Sequence, residues 1–195
     1  MIGLNVKIAM ESTSSIISQD VIRSGDDDVC YEVVDGQVVE LAPTGAYEVW
    51  LDTALTESLR SFARQHHLGR AVQEMLFDLG ATMQRKRRPG VAFVSYDRWP
   101  PLQRVPRTEA WNVVPNLAVE VVSPTDRADD LMNRVTEYFC AGVERIWVVF
   151  PAQEQFYVYE SPTTVRILTR TDVLHGEPIL PHFRLPLAAF FDDVV

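Results

Sequence analysis

The spacing of hydrophobic and polar positions predicts two long amphipathic helices separated by short strand-like runs. Leu51, Leu55 and Leu59 recur at helical spacing, which predicts a helix over residues 46–65 whose apolar stripe packs on a sheet. Residues 126–141 show the same periodicity, and Gly142 is a typical C-terminal stop. Residues 187–191 predict a short closing helix.

Short apolar runs bounded by turn residues predict the strands of a mixed sheet. The first two runs flank the pair Asp35 and Gly36, which is a strong hairpin signal. The predicted strands are residues 31–34, 37–41, 71–77, 91–95, 117–122, 143–150, 155–159, 165–168 and 172–174. We expect the last two to form an edge hairpin. The order predicts an α/β fold of the α+β type, with a mixed sheet and few helices.

The length of 195 residues fits one core, and a hydrophobic share of 47% can fill it. Residues 1–28 predict an N-terminal arm with a short helix near Ile16 and Ile17, and residues 29–195 predict the domain. The chain has no apolar run of membrane-spanning length and no secretory signal pattern, so we expect a cytoplasmic protein without a membrane partner.

The net charge of -9 argues against a protein that coats nucleic acid, because sequence-independent DNA affinity comes from Lys and Arg. Any DNA contact must therefore be local. The candidate nucleic-acid-binding residues are Arg85, Lys86, Arg87 and Arg88. The alternative for these four residues is a solvated loop between two strands.

Glu120 is the most informative single residue, because it interrupts the apolar run of residues 117–122. A charged group in such a strand is costly unless it is paired, hydrogen-bonded or bound to a metal. Strand alternation places it on the same face as Ala118 and Val122, close to the helix that follows.

Blocks of sequence in fixed order resemble the Uma family of restriction-endonuclease-type proteins. They are YEVVDG at 31–36, LAPTG at 41–45, RRPGVAFV at 87–94, PNLAVEVVSP at 115–124, YFCAGV at 138–143, WVV at 147–149 and FRLPL at 183–187. The resemblance implies a restriction-endonuclease-like core, in which a central mixed sheet is flanked by helices behind an N-terminal hairpin. It also implies DNA hydrolysis with Mg²⁺ held by an Asp and a Glu on neighbouring strands and a Lys nearby.

Position by position, the resemblance gives an incomplete site. Glu120 matches the metal-binding and catalytic Glu, whereas Gly90 stands where the Asp is expected. Arg134 falls at the Lys position on the helix, and Asp130 matches an acidic position one turn earlier. Glu48 replaces a His at the start of the first helix. Arg keeps the positive charge but does not titrate at ordinary pH, so we expect impaired catalysis.

Two functions remain open. In the first, the protein is a Mg²⁺-dependent DNA endonuclease in which another carboxylate replaces the missing Asp; the candidates are Glu32, Glu40, Glu48 and Glu74. In the second, it is a non-catalytic DNA- or protein-binding module in which Glu120 and Arg134 form a buried ion pair. A homodimer is expected by analogy with nucleases that cut two strands.

Overall fold

The computed structural model of the protein describes residues 16–17, 30–80 and 83–192. Its elements in chain order are β1 Ile16–Ile17, β2 Tyr31–Val34, β3 Gln37–Glu40, α1 Ala46–Gln65, β4 Gly69–Gln73, β5 Phe77–Asp78, β6 Lys86–Arg87, β7 Val91–Ser95, β8 Leu117–Val121, α2 Ala128–Ala141, β9 Arg145–Phe150, β10 Gln155–Ser161, β11 Thr164–Leu168, β12 Val173–His175, β13 Arg184–Pro186 and α3 Leu187–Phe191. A 3₁₀ turn, Pro151–Gln153, joins β9 to β10.

A six-stranded sheet in the order β11-β10-β9-β8-β7-β4 forms the centre of the fold. Strands β8 and β9 run parallel, and the other neighbouring pairs are antiparallel. A parallel pair needs a crossover connection, and α2 supplies it. The prediction of an α/β fold with a mixed sheet and few helices is confirmed.

The two long helices cover opposite faces of this sheet. On the α1 face, Phe93 packs in one core cluster with Leu55. On the opposite face, Ala118 packs in a second cluster with Val135 of α2. Because side chains alternate along a strand, Glu120 shares the α2 face with Ala118. The sequence alternation therefore predicted correctly which helix meets Glu120.

The predicted hairpin between residues 165–168 and 172–174 is wrong. Strand β11 pairs with β10, whereas β12 pairs with β13 in a separate two-stranded sheet. Burial explains the difference, because Leu174 and Leu185 face each other across β12 and β13 and both are buried in the core. Most of β11 is exposed instead.

Two other expected elements differ from the structure. The strand expected over residues 71–77 is divided between β4 and β5, which lie in different sheets, and Glu74 between them has a left-handed φ of 48°. The helix expected near Ile16 and Ile17 is a strand there, since these residues pair with β3 at the edge of the N-terminal hairpin. The rest of the predicted arm lies outside the described residues.

In the parts of the chain that the structure describes, no helix is long and apolar enough to cross a membrane.

A buried ion network ties the smaller sheet, β1-β3-β2-β6-β5, to α2. Arg87 on β6 lies 2.5 Å from an oxygen of Glu32 on β2 and 2.6 Å from an oxygen of Glu137 on α2. Both Arg87 and Glu32 are buried. The network fixes the hairpin and its cleft-facing residues relative to the main sheet.

We predict that Arg87→Met lowers the free energy of unfolding by about 3–5 kcal/mol, because it leaves buried carboxylates without their cation. The matched variant Lys86→Met, on the same strand, removes a partly exposed pair with Glu109 and should cost about 1 kcal/mol or less. Urea unfolding of both variants measures the difference. A loss for Arg87→Met as small as that for Lys86→Met would show that the network does not stabilise the fold.

Candidate functional site

A cleft of about 420 Å³ opens where β8 ends and β7 begins, between α1 and the start of α2. Five carboxylates and two guanidinium groups are among its lining side chains: Glu40, Asp52, Glu74, Glu120 and Asp126, with Arg88 and Arg134. Carboxylates outnumber the arginines, so the cleft favours a bound cation.

Glu120 is held in place by two residues of α2. Tyr138 donates its hydroxyl to Oε1 of Glu120 at 2.7 Å, and Nη1 of Arg134 donates to Oε2 at 3.2 Å. Arg134 and Tyr138 are four residues apart and therefore project from the same side of the helix. Burial raises the pKa of Glu120, and the positive charge of Arg134 opposes that shift. Burial also raises the pKa of the Tyr138 phenol, which keeps it a donor.

Arg134 bridges Glu120 and the loop before α2. Its Nη2 donates to Oδ1 of Asp126 at 3.1 Å. The negative charge of Glu120 raises the pKa of Arg134, so the guanidinium stays protonated. The ion pair considered in the sequence analysis is therefore present, and it lies on the cleft wall.

Gly90 directly precedes β7 and lies beside Glu120. Val91 pairs with Val119 in the antiparallel register of β7 and β8, and one further step places Gly90 across from Glu120. A Cβ atom at Gly90 would lie 2.5 Å from Oδ1 and 2.6 Å from Oδ2 of Asp52. The space beside Gly90 is therefore filled by a carboxylate that comes from α1.

Asp52 is a buried residue that the sequence analysis missed. It is only 3% exposed, and its Oδ1 has no hydrogen-bond partner among the described residues. Burial raises the pKa of Asp52 to about 8, and the negative charges of Glu120, Glu74 and Glu48 add to the effect. Its sequence signal was a charged residue inside the buried stripe of a helix, the same kind of anomaly that identified Glu120 in a strand.

The carboxylates expected to replace the missing Asp have different surroundings. Glu32 accepts hydrogen bonds from the guanidinium of Arg87 and, at 2.8 Å, from the backbone N–H of Arg88. Glu40 and Glu74 line the cleft, and Glu48 is buried near Asp52 on the same helix. Replacement of the missing Asp by one of these four carboxylates stays a prediction.

Asp130 lies outside the cleft lining. Its side chain is 64% exposed, and its contact is a 3.9 Å approach to Arg127. Asp126, four residues earlier, contacts Arg134 instead. A catalytic role for Asp130 stays a prediction.

The four basic residues at 85–88 pair mainly within the protein. Arg85 contacts Asp35 and Glu137, Lys86 contacts Glu109, and Arg87 contacts Glu32 and Glu137. Arg88 donates to the carbonyl oxygen of Glu74 at 2.6 Å and is the one of the four that lines the cleft. A DNA phosphate would compete with these carboxylates for three of the cations. Nucleic-acid binding by this segment stays a prediction.

The donor set fits a hard divalent cation with few protein ligands. Among the described residues, no group of three or more His, Cys, Asp or Glu side chains is arranged to hold a metal ion. However, Mg²⁺ is usually bound through one or two carboxylates, with water and substrate oxygens completing its shell. Asp52 and Glu120 are two carboxylates that line the same cleft, and Oδ1 of Asp52 has no hydrogen-bond partner among the described residues.

We predict that metal-free protein loses stability as the pH rises from about 4 to about 8, through the contribution of Asp52. Its carboxyl has the ordinary pKa of 3.8 in the unfolded chain and a pKa of about 8 in the fold. In that window the folded state holds a proton that the unfolded state has lost, so each pH unit costs up to about 1.4 kcal/mol. Asp52→Asn should remove this loss and become stabilising relative to the parent at pH 8.

The measurement is urea unfolding at several pH values with a chelator present. Asp172→Asn serves as a control of opposite sign, because the backbone N–H and hydroxyl of Thr169 lower the pKa of Asp172. That variant should lose stability at neutral pH and lose less at low pH. Parallel pH profiles for the parent and Asp52→Asn would contradict the assignment.

Comparisons with known proteins place the fold. A family model, Uma2, described as "Putative restriction endonuclease", matches residues 19–188. A crystal structure described as "a putative nuclease belonging to DUF820" from Anabaena variabilis superposes with a TM-score of 0.71 at 14% identity, covering 85% of this chain and 91% of that one. The curated proteins gave no match. At this identity the structural likeness shows the fold, and the family model covers most of the sequence. The chain therefore belongs to the Uma2 family.

Proposed function

We propose that the protein is a Mg²⁺-dependent DNA endonuclease whose cleft at Glu120 hydrolyses phosphodiester bonds slowly. The observation that supports this most is the position of Glu120, a buried carboxylate at the end of a central strand that nevertheless lines an open, acidic cleft. Membership of the Uma2 family supports the same reaction class.

Glu120, Tyr138 and Arg134 each have a definite task in this proposal. Glu120 provides a carboxylate ligand, oriented by the hydroxyl of Tyr138. Arg134 provides a fixed positive charge for a non-bridging oxygen of the phosphate. A divalent cation bound here would stabilise charge on the phosphate and acidify an attacking water. The water oxygen bonds to phosphorus as one P–O ester bond breaks, the water loses a proton to solvent, and the leaving alkoxide takes up a proton from solvent.

The slow rate follows from the chemistry of Arg134. A lysine can lose a proton when its surroundings favour it, whereas a guanidinium stays charged at any ordinary pH. The negative charge of Glu120 raises the pKa of Arg134 further. Arg134 can therefore orient a phosphate or a water molecule but cannot accept the proton of that water.

The DNA contact in this proposal is local, because the protein carries a net charge of -9. Arg88 and Arg134 are the cations that line the cleft and can meet a phosphate. A homodimer and a cytoplasmic location stay predictions.

A non-catalytic binding module is the second candidate, and one observation favours it. Both carboxylate oxygens of Glu120 already have donors, Tyr138 and Arg134, so Glu120 is satisfied without a cation. Satisfied buried pairs of this kind persist for structural reasons. In this alternative the fold binds DNA or a protein without cutting.

We predict that the purified protein nicks supercoiled DNA slowly with Mg²⁺ or Mn²⁺ and that Glu120→Gln abolishes the reaction. Arg134→Lys should raise the rate at least about tenfold, because general acid–base groups contribute that much or more. Glu160→Gln, a matched change at an exposed position of β10, should leave the rate unchanged. Gel assays of plasmid and single-stranded DNA measure all four proteins.

Two results would reject hydrolysis. One is intact DNA with the parent and with Arg134→Lys; the other is a Glu120→Gln protein that cuts as fast as the parent. Intact DNA together with binding that weakens steeply as salt rises would favour the non-catalytic DNA-binding module.

A further inference from the structure

We propose that Asp52 of α1 is a metal-binding residue, which forms a two-carboxylate divalent-cation site with Glu120 because Gly90 leaves room for it. The carboxylate that a strand residue at position 90 would provide comes instead from the neighbouring helix. This inference rests on the proposed function, since it assigns a ligand within the same cleft, but its test needs no DNA and no hydrolysis.

The carboxylate of Asp52 is buried and, among the described residues, lacks a hydrogen-bond partner at Oδ1. Asp52 is only 3% exposed. Buried polar atoms in folded proteins almost always have a partner, so an exception needs an explanation. Because Asp52 also lines the cleft, a cation in the cleft can be that partner.

The side chain of Asp52 fills the space that a side chain at position 90 would need. The two carboxylate oxygens of Asp52 lie 2.5 Å and 2.6 Å from the point where a Cβ atom of residue 90 would stand. No side chain fits there unless the Asp52 carboxylate moves away. A hydrogen bond of 3.0 Å from the N–H of Glu74 to the carbonyl of Gly90 holds the backbone at this point. Gly90 and Asp52 are therefore coupled, and one position can hold a carboxylate only if the other leaves the space.

The surroundings of Gly90 favour a ligand exchange, in which the metal-binding carboxylate comes from Asp52 on α1 instead of from a residue at position 90. Gly90 lies across from Glu120 when the register of β7 and β8 is extended by one residue, and Asp52, Gly90 and Glu120 all line the same cleft. The negative charges of Glu120, Glu74 and Glu48 all act on Asp52. Several carboxylates gathered in one cleft repel each other unless a cation lies between them or one of them is protonated.

A purely structural, protonated Asp52 is the competing explanation, and metal binding separates the two. The full chain is titrated with Mn²⁺ in the absence of DNA, using calorimetry and the electron paramagnetic resonance signal of free Mn²⁺. Asp52→Asn preserves the shape of the side chain and removes the charge. We expect it to weaken Mn²⁺ binding at least tenfold, while Asp97→Asn, at an exposed turn outside the cleft, binds like the parent.

The exchange itself gives the sharper experiment. The double variant with Asp52→Ala and Gly90→Asp moves the carboxylate from the helix to the strand and frees the space that it needs. We expect this protein to recover Mn²⁺ binding to within about tenfold of the parent, whereas Asp52→Ala alone does not. Gly90→Asp alone places two carboxylates in one space and should lower the melting temperature.

The outcomes also separate this inference from the proposed function. Parent binding that Asp52→Asn loses and the double variant recovers supports the ligand exchange, even if no DNA is cut. A parent without Mn²⁺ binding, or an Asp52→Asn protein that binds Mn²⁺ as tightly as the parent, overturns the exchange. If Asp52→Asn binds Mn²⁺ like the parent but Mg²⁺-dependent DNA cutting still requires Glu120, the proposed function stands without the ligand exchange.

Discussion

Two buried carboxylates, Asp52 and Glu120, share one cleft at the end of strand β8 in the central sheet, and this concentration of acidic groups constrains the surrounding structure. A buried charge is costly unless a cation or several hydrogen bonds compensate it. For Glu120, helix α2 supplies Arg134 and Tyr138 on one side of the helix. The α2 crossover between the parallel strands β8 and β9 thus brings the compensating groups to the carboxylate. Asp52 has no equivalent partner among the described residues, and this asymmetry is why the cleft suits a cation.

The positive charges of the basic segment at residues 85–88 mostly have structural partners. Arg87 is buried between Glu32 and Glu137, and Arg85 shares Glu137 with it. These contacts connect the N-terminal hairpin to α2 and hold the cleft-facing end of the hairpin in place. Arg88 and Arg134 remain at the cleft itself. Three of the four basic residues at 85–88 are therefore paired with carboxylates of the protein itself.

Local patterns predicted the local structure well, because a helix and a hairpin turn depend on residues that are close together in the sequence. Helix α1 has the predicted bounds, and the Asp35–Gly36 turn joins β2 to β3 as expected. The pairing of β12 with β13 was missed because it depends on burial of Leu174 against Leu185, which is a long-range contact. The break at Glu74 was missed because a left-handed backbone at a glutamate has no clear signal in one sequence.

The residues of the candidate site also differ in how well the sequence predicted them. Glu120 was found because a charge in an apolar strand is conspicuous, and Arg134 because the family resemblance fixed its position. Asp52 was missed because a charged residue beside leucines in an amphipathic helix is usually at the edge of the exposed face. The folded structure shows its contact with Gly90 and its place in the cleft lining. That contact joins distant parts of the chain and required the fold.

The central claim is that Asp52 and Glu120 together bind a divalent cation, and anomalous diffraction from crystals soaked in Mn²⁺ tests it most directly. The account predicts an anomalous peak in the cleft at about 2.0–2.6 Å from a carboxylate oxygen of each residue, the range of metal–oxygen bonds for hard cations. A cleft without anomalous density beside Asp52, in crystals that show Mn²⁺ at other sites, would contradict it.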